Sequence, residues 1–399
     1  TAKCTLIKDG QVPISSDYYI ERSQTEAGYP IMIPVVDLVE IGNGGGSIAW
    51  VDEFSKLHVG PQSAGALPGP VAYAKGGTEP TTTDANLVLG RINPDYFCGG
   101  EVKADMEKVN RAFSNLAHGL SMSSREAAQG IIRIANNNMV NALKLVSVNR
   151  GHDPRDFTMV AFGGGGAMHA CALADELGIN KVVIPATASV FSAWGMMMSD
   201  IRRDRIITYL STWGDSQILD INKQNQQLYK ELKQEFSREE LPQDKTTFEF
   251  YARFRYQNQE HSIEVELPSQ LVADDVDGIT ELFKQKYEQE YTYRLDTPIE
   301  IVGLHLVAKC SIGKIKLAKQ AKTGRQLSET IKGEREVDYA TQGCHNAVIY
   351  NGDLFEPAMS FIGPAIIEQT GTTIVIHPNQ KVNLDEYGNI IIHLSVKEY

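Results

Sequence analysis

Four consecutive glycines, Gly163, Gly164, Gly165 and Gly166, follow the apolar run Met159-Val160-Ala161-Phe162 and lead directly into Ala167-Met168-His169-Ala170. Where a strand ends in glycines and a helix begins, no Cβ separates a ligand from the backbone. The first-turn N–H groups of such a helix are unpaired and suit anions, nucleotide phosphates among them. The same turn also serves simply to seat a helix close to a sheet, so both readings stay open. A second glycine loop, Gly42-Asn43-Gly44-Gly45-Gly46-Ser47, lies downstream of two carboxylates, Asp37 and Glu40. These carboxylates are either a ligand-facing group or a solvated pair. Asp84 closes the run Thr81-Thr82-Thr83-Asp84. It is either a helix N-cap, worth about 1 kcal/mol, or a ligand for Mg²⁺ or its water beside phosphate oxygens. His169 falls in the first helical turn after the glycines, where it caps, packs, or faces a ligand as a neutral ring. Ser47 and Ser63 lie outside any Gly-x-Ser-x-Gly elbow, His58 reads as structural, and Cys98-Gly99-Gly100 carries no catalytic signature.

The elements that must position these residues are legible in outline. Ala167–Leu177 is free of Pro and Gly, Gly178 supplies a stop, and Lys181-Val182-Val183-Ile184 reads as a buried strand closed by Pro185. Strand, crossover helix and strand make a βαβ unit, expected to be parallel and right-handed. In open α/β sheets ligands gather at the carboxyl ends of strands, where these glycines fall. Ser123-Ser124-Arg125-Glu126 fits a capping box, and apolar residues from Ala127 to Val146 recur at three- and four-residue spacing, predicting a long core helix stopped at Arg150-Gly151. Near the start, Lys8-Asp9-Gly10-Gln11 predicts a hairpin joining Thr5–Ile7 to Val12–Ile14. Residues 31–41 read as a mostly buried strand, 48–52 and 57–59 as a short hairpin, and 61–83 as a long loop of the functional kind. Asn222–Glu240 reads as a polar surface or linking helix. Beyond residue 245, Phe248–Tyr256 and His261–Leu267 alternate with period two, as half-exposed antiparallel strands do. A helix over 279–291 and strands near 299–310, 347–350, 372–376 and 390–394 follow.

At 399 residues the chain exceeds the roughly 250–300 residues that one core fills, predicting at least two domains. The 42% hydrophobic and 22% charged content is that of an ordinary globular protein, and the net charge of −12 argues against a nucleic-acid or anionic-membrane partner. Five scattered cysteines without a CxxC pair indicate neither a zinc knuckle nor a disulfide framework. Reduced thiols and a cytoplasmic location are the simple expectation. No apolar run approaches the roughly 18 residues of a membrane span.

Read together, these segments resemble the A-type subunit of the ATP-dependent hydantoinase/oxoprolinase group, with the related subunits of acetone and acetophenone carboxylases. The matching blocks are Glu40–Ala49, Val59–Gly65, Pro68-Gly69-Pro70, Thr83–Arg91, Ala161–Gly166 with His169-Ala170, and Gly363–Glu368. The resemblance covers nearly the whole chain. It implies an α/β fold: an actin-like ATPase (ribonuclease H-like) lobe over residues 1–205, N-terminally incomplete, a helical linker over 206–244, and a smaller β-rich C-terminal domain over 245–399. Members carry two Asp-x-Gly-Gly-Thr phosphate loops, and Thr1 matches the last residue of the second. The chain is therefore expected to be the C-terminal part of a larger polypeptide. By the same resemblance ATP and Mg²⁺ are the cofactors. Thr1 and Gly163–Gly166 touch the nucleotide, and Gly44, Gly45, Gly46 and Ser47 face phosphate or substrate; the residues weighed above make Asp84, Asp37 and His169 the candidate catalytic groups and Asp84 the candidate metal ligand. The implied reaction opens a small cyclic amide or imide by phosphoryl activation; a ketone carboxylase subunit or a non-catalytic scaffold are the alternatives. A B-type hydantoinase subunit or the missing N-terminal lobe is the expected partner, within an oligomer.

Overall fold

The computed structural model describes residues 1–15, 18–20, 26–31, 34–96, 98–101 and 103–394. Its α-helices are α1 (Thr82–Val88), α2 (Met106–Leu120), α3 (Ser124–Val146), α4 (Gly166–Leu177), α5 (Phe191–Met197), α6 (Ile218–Arg238) and α7 (Asp275–Tyr291). The chain divides into two compact units. One comprises Thr1–Ser15, Val35–Trp194 and Leu317–Tyr399, the other Ser16–Pro34 and Gly195–Lys316.

The first unit is α/β. Met159–Val160 lies parallel to Lys181–Ile184, in register Val182↔Met159, with α4 as the crossover between them. These strands belong to a five-stranded sheet whose remaining members are Ile390–His393, Lys381–Leu384 and Ser360–Ile362. A separate four-stranded sheet orders Ile331–Asp338, Cys344–Asn351, Ala365–Gln369 and Thr372–Ile376. The apolar side of α4 (Ala167, Ala170, Cys171, Ala174, Leu177) packs with Val182, Ile184, Ile374, Ile376 and Ile392 in one core. A second core joins α1, α2 and α3 through Leu87, Val109, Phe113, Ile131 and Ala135. The predicted capping box opens α3, with Glu126 N–H donating to Ser123 Oγ (3.2 Å) and Ser123 N–H to Glu126 Oε2 (2.8 Å).

The predicted hairpin at the start is only half formed. Its turn exists, with Gln11 N–H donating to Lys8 O (2.9 Å) and Asp9 and Gly10 both at positive φ. Its arms do not pair with each other: Thr5–Ile7 lies in no strand, the preceding Ala2–Cys4 pairs with Val39–Ile41, and Ile14–Ser15 pairs with Val35–Val36. An isolated two-stranded hairpin is marginal in water, and long-range partners displace it. The strand expected over 31–41 is interrupted: Tyr29–Ile31, Val35–Val36 and Val39–Ile41 are separate strands, and Met32 and Ile33 lie outside the described residues.

The second unit is an antiparallel sheet, ordered Ile201–Thr212, Ile299–Cys310, Thr246–Tyr256, Ile263–Leu267. Period-two alternation puts Phe250, Ala252, Phe254 and Tyr256 on one buried face. Ile221, Leu228, Leu232 and Phe236 of α6 and Ile279, Phe283 and Tyr287 of α7 cover that face. On the strand ladder, His305 is 1% exposed between two carboxylates: Nε2 lies 2.7 Å from Asp204 Oδ1 and Nδ1 2.9 Å from Glu264 Oε2. Burial pushes its pKa down, but the two carboxylate hydrogen bonds outweigh burial and the net shift is upward. Among the described residues no helix is long and apolar enough to cross a membrane.

Candidate functional site

The two glycine segments differ in what surrounds them. In the first loop, a Cβ on Gly44 would stand 2.9 Å from Thr1 N, on Gly45 2.8 Å from Thr83 Oγ1, and on Gly46 2.9 Å from Ser63 Oγ. The chain itself therefore accounts for these glycines: larger residues would collide with it. The loop is also tied internally, Gly44 N–H donating to Ser47 Oγ (2.9 Å) and Thr83 N–H to Gly45 O (2.8 Å). Thr1 reaches this loop because Ala2 is in register with Ile41. Gly45 and Gly46 N–H groups donate to nothing among the described residues.

The second segment is open. A Cβ on Gly163, Gly165 or Gly166 would meet nothing within 4 Å, and Gly164 has only Gly371 O at 3.8 Å. Packing does not explain these glycines. Gly163 N–H donates to Ala188 O (2.7 Å), but the N–H groups of Gly164, Gly165, Gly166 and Ala167 find no acceptor among the described residues. They form the uncapped start of the 12-residue α4, a concentration of partial positive charge that suits an anion. Beside the turn, half-exposed Phe162 lies 5.0 Å from Phe191, which stacks on Trp194 at 5.2 Å. This aromatic shelf is a surface on which a planar heterocycle can stack. Of the three, only Phe162 belongs to the glycine motif of the sequence; the other two come from a segment that abuts the turn in space.

Asp84 is fully buried and both of its oxygens are engaged. Oδ2 accepts from Val71 N–H (3.1 Å), Thr81 N–H (2.9 Å) and Thr81 Oγ1 (2.7 Å), and Oδ1 from Ala72 N–H (2.8 Å). Thr81 is the N-cap of α1 and Asp84 its third residue, so the cap lies three residues before the one expected and Asp84 completes a capping box. Burial raises its pKa against these four donors, which lower it. The carboxylate thereby pins the middle of the long 61–83 loop, at Val71 and Ala72, to the start of α1, whose Thr83 N–H donates to Gly45 O. Asp37 makes a bidentate ion pair with Arg150 (Nη2–Oδ1 3.0 Å, the second contact shorter). His169 is buried, its Nδ1 2.7 Å from Asn136 Oδ1; burial first, and the charge of Arg91 second, lower its pKa to about 4.

Helix α3 joins the two glycine segments. Asn43 Nδ2 donates to Ala135 O (2.9 Å), and the neighbouring Asn136 holds His169 at the start of α4. The periodicity of α3 marks it as a core helix and does not single out Asn136; the available signal is the run Asn136-Asn137-Asn138 inside an amphipathic pattern. Among the described residues no cluster of three His, Cys, Asp or Glu side chains is arranged to hold a metal ion.

The model of the hydantoinase/oxoprolinase family matches residues 1–205, and that of the hydantoinase/oxoprolinase C-terminal domain matches residues 214–396. The chain is 34% identical over 391 residues to the caprolactamase subunit alpha of Pseudomonas jessenii, covering 96% of this chain and 55% of that one. It is 30% identical to the acetophenone carboxylase gamma subunit of Aromatoleum aromaticum, covering 91% and 51%. The crystal structure of the ATP-dependent caprolactamase from P. jessenii superposes with a TM-score of 0.85 at 32% identity, over 95% of this chain and 55% of that one. The chain thus spans about half the length of these relatives.

Proposed function

The chain belongs to the hydantoinase/oxoprolinase family, and from that premise we propose that it is part of an ATP-dependent enzyme that opens a cyclic amide or imide of the hydantoin or 5-oxoproline type. The observation that carries the reading is the open turn at Gly163–Gly166: glycines that no packing requires, with four successive N–H groups unpaired. The chemistry of the turn suits a nucleotide. Its free N–H groups meet negative oxygens, and the Phe162, Phe191 and Trp194 shelf meets a base. Gly45 and Gly46, with Thr1 alongside, offer a second set of donors for phosphate, backed by Ser47.

ATP, when bound, supplies the phosphoryl group that turns the resonance-stabilised amide carbonyl into an electrophile open to water. The residues of this chain bind and orient. Asp84 fixes the loop next to Gly45, Asp37 holds Arg150, and His169 enters as a neutral ring locked by Asn136. We assign these three to positioning. Mg²⁺ belongs to the reading by resemblance, but Asp84, whose lone pairs already meet four donors, does not fit as its ligand. A further lobe or a B-type subunit completes the enzyme, in keeping with relatives that are themselves subunits. A cytoplasmic location accords with the free cysteines Cys4, Cys171, Cys310 and Cys344. The likeness to the acetophenone carboxylase subunit favours one second reading, an ATP-dependent ketone carboxylase subunit.

ATP turnover by the complete protein with its partner, assayed with hydantoins, with 5-oxoproline, and with ketones plus bicarbonate, tests the proposal. Stimulation by a cyclic amide supports it and stimulation by ketone plus bicarbonate favours the second reading. Absence of nucleotide binding would leave a scaffold.

A further inference from the structure

A run of glycines has no side chains to fix which way its peptide planes face. In a trans peptide the C=O of one residue and the N–H of the next point in opposite directions. Each plane of the Gly163–Gly166 turn therefore shows a ligand either a donor or an acceptor, and rotating the plane reverses the sign of the site. An anion suits only the donor orientation. Gly163 N–H donates to Ala188 O (2.7 Å), which fixes the plane Phe162–Gly163. Met168 N–H donates to Gly165 O (3.2 Å), which fixes the plane Gly165–Gly166 at the start of α4. Of the two planes between them, Gly164–Gly165 is held by a side chain 208 residues further along: Thr372 Oγ1 donates to Gly164 O (3.1 Å). Drawing that carbonyl towards Thr372 turns the Gly165 N–H the opposite way. There it finds no acceptor among the described residues, and a Cβ on Gly165 would meet nothing within 4 Å.

Thr372 is itself firmly seated. It is buried and opens the strand Thr372–Ile376, facing Gln369 across the Thr370-Gly371 turn. The Asp353 carboxylate fastens that turn, Oδ2 accepting from Thr370 N–H (3.0 Å) and Thr370 Oγ1 (2.7 Å). Gly371 lies so close to the Ser189 side chain that a Cβ would collide with it, and its carbonyl oxygen stands 3.8 Å from where a Gly164 Cβ would be. The turn is thus a floor beneath the glycine segment. We propose, on the nucleotide reading of this segment, that Thr372 is a positioning residue: its hydroxyl sets the Gly164–Gly165 peptide so that an N–H, and not a carbonyl oxygen, meets a phosphate. Without that hydroxyl the Gly164 carbonyl has no partner holding it inward, and only the fraction of molecules with the plane turned the right way is competent to bind. Thr372 acts through the main chain and need not touch the ligand.

Calorimetric titration of the complete protein with a non-hydrolysable ATP analogue provides the test, run on the parent, Thr372→Val and Thr372→Ser, with urea unfolding of each sample alongside. Valine matches threonine in shape and suits a strand, but it cannot donate. The dissociation constant of Thr372→Val is expected to rise about tenfold, as one charge-assisted donor loses its orientation. Thr372→Ser keeps the donor and loses only a methyl group, so it should bind like the parent even where it is less stable. A packing role predicts the reverse order, with valine spared and serine impaired. Thr372→Ala, which adds no atom, repeats the loss should the valine variant not fold. Hydroxyl-free variants that bind as tightly as the parent, or a serine variant weakened as much as they are, would overturn the positioning role and leave the nucleotide reading standing. A parent that binds no ATP analogue would remove that reading, and the role of Thr372 with it.

Discussion

Replacing Gly165 by alanine separates a glycine kept for packing from one kept for a ligand. Gly165 has φ −108° and ψ −14°, a conformation any residue adopts, and the added Cβ meets nothing within 4 Å. The folded state loses nothing, while the unfolded chain loses freedom, so stability should hold or rise by about 0.4–1 kcal/mol. The methyl group would instead occupy the space through which a phosphate approaches the N–H groups of Gly164–Ala167. Losing one charge-assisted hydrogen bond costs about 1.5–3 kcal/mol, and each ~1.4 kcal/mol is tenfold in affinity. The dissociation constant for an ATP analogue should therefore rise roughly ten- to hundredfold. Calorimetric titration of the complete protein reads the affinity, and denaturant unfolding of the same sample reads the stability. An unchanged affinity in a stably folded variant would refute the nucleotide assignment of this turn. A marked loss of stability would show instead that the space is not open.

The opposite behaviour is expected of the first loop. Gly45→Ala drives a Cβ to 2.8 Å from Thr83 Oγ1 and should destabilise by about 1–3 kcal/mol, seen as a lower urea midpoint. Asp84→Asn keeps one accepting oxygen but sets an amide N–H₂ against at least the Ala72 N–H donor; unfolding free energy should fall by roughly 1–3 kcal/mol, and a variant as stable as the parent would contradict the pinning role. His377 has its folded pKa lowered from 6.5 to about 4, so the unfolded chain binds the proton first, and this contribution to stability is complete above pH 6.5 and lost as pH falls towards 4. The loss amounts to roughly 3 kcal/mol; His377→Gln should flatten unfolding free energy against pH across that window. His305 is the reverse case: its folded pKa is raised, so its contribution is fully present below pH 6.5 and fades as pH rises through the elevated value. His305→Asn should therefore cost more stability at pH 6 than at pH 9, and equal losses at both would contradict an imidazolium between Asp204 and Glu264.

Local signals carried much of the fold. The Met159–Ile184 unit was legible because apolar runs, glycines and a Pro-free helix are decided by neighbouring residues, and the Ser123–Glu126 box because a helix start is a four-residue event. The Lys8–Gln11 turn formed as its sequence dictates, but its arms did not pair with each other. Strand pairing is a competition among distant segments, and no local pattern ranks them. The same limit hid the route by which residues 331–394 pack with the first unit, and the strand ladder that buries His305.

The sequence by itself determined where glycines, carboxylates and helix starts lie, and which family pattern they form, since these are properties of residue type and spacing. Only the tertiary structure decided that Gly44–Gly46 are crowded by Thr1, Thr83 and Ser63 while Gly163–Gly166 face open space. It alone turned Asp84 inward to four donors and set Asn43 and His169 against consecutive residues of α3. It also buried Arg91, His169, Tyr339 and His377, polar residues scattered along the chain. Burial and hydrogen-bond direction depend on what the rest of the chain places alongside, and those are the quantities that fix what a side chain does.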